Sequence, residues 1–319
     1  KFNNLKNIEE INCENCITSI TILRDLNLLV THKSGFGKIY KSDIIDDKII
    51  YYELIDIAEN EYCFNYGIEL FNNNLALCSE DSTIKIIKLN YRKNSYEIIQ
   101  KIENSDNDPI YIIKELNNKN LICGTWNYII LYQYLGNSKY ELITRYLVNN
   151  RTFSILEIKP NIIVSTHCYL KSLKFIDTNQ MDEINEINNI DSNENPEILC
   201  KMNVGDKEII CVGNNKGLDV VDLEKKNIIN NIDLFYQVTS MVNLSVDNRD
   251  YLIVGAKTNN KRAKLNLYIF TLIMKYDKFK RIKISEIFKF EPMHKYDINS
   301  LKILSIKDKN IFISSGNED

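Results

Sequence analysis

The chain has 319 residues, 44% of them hydrophobic and 10% aromatic, enough for a packed core, and its formal net charge of −3 gives no overall basic field. Disordered, collagen-like and globally basic nucleic-acid-binding classes are thereby excluded. The 51 Ile, 43 Asn and 4 Ala carry the mark of A/T-rich codons, and they also disfavour a mostly helical protein, because Ala heads the helix scale while β-branched Ile suits a pleated sheet.

The opening residues, Lys1-Phe2-Asn3-Asn4-Leu5, lack the apolar stretch of a secretion signal, and we expect the chain to be part of a longer one. Residues 5–11 read as a strand. From there one design recurs: an apolar strand, a polar turn, a short apolar strand ending in small residues, a second polar turn, a period-two strand and an outer strand. First strands include Ile17-Thr18-Ser19-Ile20-Thr21-Ile22, Ile110-Tyr111-Ile112-Ile113, Phe153-Ser154-Ile155-Leu156, Thr239-Ser240-Met241-Val242 and Asn299-Ser300-Leu301. Second strands end at Thr31, Ser79, Thr125, Thr166, Gly213, Ala256 and Ser315, spaced by 48, 46, 41, 47, 43 and 59 residues. A four-stranded blade takes about 40 to 50 residues. Third strands such as Thr83-Ile84-Lys85-Ile86-Ile87-Lys88-Leu89 and Gly217-Leu218-Asp219-Val220-Val221-Asp222-Leu223 alternate in polarity, and outer strands such as Tyr140-Glu141-Leu142-Ile143-Thr144 close each copy. We therefore predict an all-β fold, a seven-bladed propeller of four-stranded antiparallel blades, forming one domain over 1–319. The expected blades are 12–58, 62–104, 109–149, 151–191, 196–234, 237–291 and 297–319, the last closed by 1–11.

Across nearly its whole length the chain resembles the WD40 family of β-propellers. The stretch that carries the likeness best is Leu77-Cys78-Ser79-Glu80-Asp81-Ser82-Thr83-Ile84-Lys85-Ile86-Ile87-Lys88-Leu89, similar to the family's small-residue strand, acidic turn and following strand. The Gly-His pair and the Trp-Asp dipeptide are missing, and the single Trp126 sits in a turn. The resemblance thus implies blades held by apolar packing and not by the family's internal hydrogen-bond relay.

Little in the sequence assembles chemistry. His32 and His167 fall at equivalent turns of the first and fourth repeats, and a seven-bladed ring would hold them too far apart to share a metal or a substrate. Cys13-Glu14-Asn15-Cys16 has the spacing of half a zinc site with no second pair near it. No Ser stands in a GxSxG elbow, and the 10 Gly form no phosphate-binding loop. We expect no catalytic residue, metal or cofactor, and no enzymatic activity. Cys78, Cys123 and Cys211 recur at one strand position and read as small buried thiols, which fits a reducing compartment: the cytoplasm, with the nucleus as alternative. The sequons Asn150-Arg151-Thr152 and Asn243-Leu244-Ser245 carry little weight in a chain so rich in Asn. The most apolar run, residues 265–274, falls short of the roughly 20 residues of a spanning helix, so no transmembrane segment is expected.

The informative positions are the turns between second and third strands, which in a propeller emerge on one face together with the loops leading into each blade. Partner-binding residues are expected there: His32, Trp126, His167, Tyr169 and Lys216. Trp126 reads either as a binding anchor or as a side chain packed between blades. Between Lys257 and Asn299 the sequence carries 11 Lys or Arg against four acids, so Lys261, Arg262 and Lys264 are expected at a basic blade-six insertion facing an acidic partner. The expected function is a non-catalytic scaffold that docks other proteins within a multi-subunit complex, with no DNA partner. The alternative is a subunit that binds phospholipid or RNA through blade six.

Overall fold

The computed structural model describes residues 16–45, 48–58, 62–167, 172–188, 198–205, 207–234, 236–246, 249–258, 267–276, 282–290, 298–306 and 309–316. Among them there is no helix, and therefore none long and apolar enough to cross a membrane. Sheet one consists of β1 (Ile17–Ile22), β2 (Leu28–His32), β3 (Phe36–Ile45) and β4 (Lys48–Ala58). Sheet two consists of β5 (Phe64–Glu69), β6 (Leu75–Ser79), β7 (Thr83–Asn90) and β8 (Ser95–Glu103), and sheet three of β9 (Ile112–Glu115), β10 (Leu121–Gly124), β11 (Tyr128–Gly136) and β12 (Lys139–Leu147). Sheet four holds β13 (Thr152–Lys159), β14 (Ile162–His167), β15 (Ser172–Asp177) and β16 (Asp182–Asn188). In sheet five are β17 (Ile198–Val204), β18 (Lys207–Gly213), β19 (Gly217–Asp222) and β20 (Asn227–Asp233). Sheet six has β21 (Tyr236–Val246), β22 (Arg249–Thr258), β23 (Leu267–Tyr276) and β24 (Ile282–Phe290), and a last pair is β25 (Ile298–Ile306) with β26 (Lys309–Gly316).

Within each sheet the strands lie side by side in chain order and run antiparallel. The described residues thus form six four-stranded sheets and one pair, where seven four-stranded blades were expected. Residues 1–11, expected to close the last blade, lie outside the described residues, as does the segment after Gly316. The segment expected as an insertion of blade six supplies β23 and β24, the third and fourth strands of that sheet. The chain divides into two compact units, one reaching to Ile155 and the other beginning at Leu156.

The second strands show why the sequence folds this way. In β6, Leu75 and Leu77 pack with Leu29 and Ile39 of sheet one, while Ala76 and Cys78 pack with Leu121 and Cys123 of sheet three. β18 repeats the arrangement, with Ile209 and Cys211 against sheet six and Ile210 and Val212 against sheet four. A strand covered on both faces must be apolar at every position, which is why these runs do not alternate. Outer strands such as β16 and β20, by contrast, are largely exposed or half-buried.

The turn before each second strand is also built alike in sheets one to three. Leu26, Asn73 and Lys119 all adopt positive φ (69, 64 and 70°), and the amides of Leu23, Leu70 and Leu116 donate to the carbonyls of Asn27, Asn74 and Asn120. The Asn side chains then reach onward: Asn27 Oδ1 accepts from the Ser42 amide at 2.8 Å and Asn120 Oδ1 from the Tyr134 amide at 3.1 Å. In sheets one and three the recurring Asn therefore joins the turn to the third strand, satisfying backbone that would otherwise be left open.

Neighbouring sheets are stitched by two further repeated contacts. The amide that opens a first strand donates to the carbonyl at the end of the preceding second strand or its turn: Ile110 to Ser79 at 3.1 Å, Thr152 to Thr125 at 3.1 Å and Val238 to Asn214 at 2.8 Å. At the other strand end a carboxylate accepts from the turn of the preceding sheet. Glu69 takes the Arg24 amide at 2.7 Å and Glu115 the Phe71 amide at 2.8 Å, while in sheet six Asp250, at the start of β22, accepts the amide of Asn203 within β17 at 2.7 Å.

Candidate interaction site

The turn between β10 and β11 carries Trp126, and its backbone is held on every side. Thr125 closes the turn on itself, its amide donating to the Tyr128 carbonyl at 2.8 Å and its hydroxyl oxygen accepting from the Tyr128 amide at 2.9 Å. The Asn127 carbonyl accepts from the amides of Val148 (2.8 Å) and Asn149 (3.1 Å), and its side-chain amide donates to Asp108 Oδ2 at 2.8 Å. Tyr111 is anchored by its amide to the Gly124 carbonyl at 2.9 Å. Between these fixed points Trp126 projects outward, 45% exposed. The ring is thus exposed and not packed away between sheets.

Three side chains that the sequence reading did not single out complete the cluster. The Trp126 and Tyr111 rings lie 6.3 Å apart at a 55° tilt. The guanidinium carbon of Arg151 stands 3.7 Å from the centre of the Tyr111 ring and 4.9 Å from that of Phe153, both within cation–π range. Arg151 Nε is buried and has no hydrogen-bond partner. Burial raises the Tyr111 hydroxyl above its ordinary value, partly offset by the Arg151 charge. Nearby, burial pushes the Cys63 thiol up to about 12, with Glu80, Lys33 and Arg151 within electrostatic reach of it. A repeat-based signal did exist: Tyr111 and Arg151 sit in the segments leading into β9 and β13, which emerge beside the second-to-third-strand turns.

The remaining expected residues fall elsewhere. Lys216 lies in the β18–β19 turn, partly exposed, its amide donating to Asn214 Oδ1 at 2.8 Å. His32 and His167 are not turn residues: they end β2 and β14 and are buried, at 2% and 0% exposure. The His167 ring nitrogen Nε2 and the Ser165 hydroxyl are 2.9 Å apart, and burial, helped by the Lys174 charge, pushes the ring's pKa down to about 3. Such a ring stays neutral and buried, so neither histidine offers a partner-binding face. Tyr169, Lys261, Arg262, Lys264 and Cys13 lie outside the described residues. Cys78, Cys123 and Cys211 are free and fully buried, and burial raises all three thiols far above their ordinary value. Among the described residues no group of three His, Cys, Asp or Glu could hold a metal ion.

No family model matches the sequence, and no curated protein does. Solved structures do: the crystal structure of Sqt1 from Saccharomyces cerevisiae, a WD40 protein, covers 95% of this chain and 93% of its own at a TM-score of 0.64 and 9% identity. The fold is propeller-like. With so few identical residues the likeness speaks for the architecture alone, and it agrees with the repeated four-stranded antiparallel sheets.

Proposed function

We propose that this chain is a protein-interaction scaffold: a seven-bladed, WD40-like propeller, without catalysis of its own, that docks a partner through the turns between second and third strands. The observation that carries the reading is Trp126. A large aromatic ring is held 45% exposed on a turn whose backbone is fixed by hydrogen bonds, so binding it would lose little conformational freedom. The likeness to Sqt1 supports the architecture. Lys216 and Tyr169, in the corresponding turns of the sequence repeat, are proposed as further partner-binding residues. Lys261, Arg262 and Lys264 would act on association rate and salt dependence.

The test is affinity capture from the source cell, quantified by mass spectrometry, with the parent chain, Trp126→Ala and a triple charge reversal at 261, 262 and 264. Proteins retained by the parent and depleted about tenfold or more by Trp126→Ala support the reading, since truncating such an anchor costs about 2 kcal/mol or more. Equal retention by parent and Trp126→Ala places the partner on another surface. Retention of RNA or phospholipid abolished by the charge reversal alone would favour the basic segment between Lys257 and Asn299, with its excess of seven positive charges.

A further inference from the structure

We propose that Arg151 gives the Trp126 site its chemistry: it receives the carboxylate of an aspartate or glutamate side chain in an extended segment of the partner protein, laid across the Trp126 ring. This rests on the docking reading above and adds the class of group recognised.

The aromatic rings of the site already hold a cation. The Arg151 guanidinium carbon lies at stacking distance, 3.7 Å, from Tyr111, with Phe153 at 4.9 Å. A cationic ligand would therefore find these ring faces taken by a cation of the protein's own. Stacking uses the faces of a guanidinium and leaves its N–H edge for acceptors. Among the described residues that edge has neither an ion pair nor a side-chain acceptor, and its Nε is buried without a partner. The buried Nε is out of a partner's reach, which leaves the two terminal amino groups to meet an incoming acceptor, and such a planar pair is matched best by a carboxylate.

The surrounding charges narrow the choice of anion. Lys33 and Arg151 act on Cys63 together with the opposing Glu80, and Tyr111 feels Arg151 against Glu80 and Asp108. Two cations and two acids leave the site near neutral, so a singly charged carboxylate meets less repulsion from Glu80 and Asp108 than a dianionic phosphate or a nucleic-acid backbone would. The exposed Trp126, 6.3 Å from Tyr111, then offers apolar surface to the residues beside that carboxylate.

The test uses the labelled full chain and four bead-bound pools of acetylated, amidated heptapeptides with random flanks and a central Glu, Gln, Lys or phosphoserine. The expected result is at least tenfold more parent chain on the Glu pool than on the Gln or Lys pool, with the excess abolished by Arg151→Gln. If Arg151→Gln fails to fold, as judged by circular dichroism, Arg151→Lys keeps the charge, loses the fork, and is expected to lose most of the excess. Equal retention on Glu and Gln pools, reduced on both by Trp126→Ala, would leave the docking site standing and overturn the carboxylate. Preference for phosphoserine overturns it in favour of a phosphorylated partner. Retention on no pool above the Trp126→Ala background overturns both readings.

Discussion

Gly124 and Gly213 occupy equivalent places at the ends of β10 and β18, and each meets a residue near the start of a neighbouring sheet's first strand, Thr152 and Val238. A Cβ at Gly213 would stand 2.6 Å from Val238 Cγ1, and one at Gly124 would stand 2.6 Å from Thr152 Cβ. The small residues that mark the repeat are thus small because the next sheet's first strand packs directly against them. Gly213→Val is expected to destabilise the fold by about 1–3 kcal/mol through overpacking, read as a lower urea midpoint with unchanged slope. His167 gives a second prediction at this scale. Folding pushes its pKa from an ordinary 6.5 to about 3, so between these values the unfolded chain takes up a proton that the folded chain refuses. Stability supplied by keeping the ring neutral is complete above pH 6.5 and is lost progressively as the pH falls toward 3. The parent's urea midpoint should therefore drop on acidification more steeply than that of His167→Gln. Parallel curves would show that the ring is not the group refusing the proton.

At the scale of elements, the carboxylate clamps between sheets are the feature that the sequence hid. Glu69, Glu115 and Asp250 read as ordinary charged residues of strands, and only the placement of the preceding sheet's backbone shows each accepting an amide. Burial of Glu115 outweighs its bond from Phe71 and raises its carboxyl above the usual value, a sign that the clamp is partly withdrawn from water. Glu115→Ala is expected to cost about 1–3 kcal/mol, and Glu115→Gln, which keeps an acceptor oxygen for Phe71, distinctly less. Equal losses in thermal or urea unfolding would mean that the amide finds another acceptor. The strands themselves were legible, because two-sided burial in β6 and β18 leaves an unbroken apolar run and the turns carry Asn at a fixed place. The histidines were not. Hydropathy puts a polar residue outside, whereas His32 and His167 simply continue their strands under cover of the surrounding sheets. Arg151 was equally hidden, since its stacking partners Tyr111 and Phe153 lie 40 and 2 residues away and no linear pattern marks a guanidinium over two rings.

On the scale of the whole molecule, seven second strands were readable as a repeat and all seven are present, six of them within four-stranded sheets. Apolar clusters lie between sheets one and two, two and three, four and five, and five and six, so each of these sheets borrows burial from a neighbour. Such an architecture spends its strand backbones on internal hydrogen bonds and leaves the turns to vary, which is where Trp126 stands. The claim that this turn is a docking surface is tested most directly by site-specific photo-cross-linking in the source cell, with p-benzoylphenylalanine in place of Trp126 or, as a control, of Glu224 in the exposed β19–β20 turn. Discrete protein adducts are expected from position 126 and none of comparable yield from position 224. Adducts absent from 126, or equally abundant from both positions, would contradict the claim.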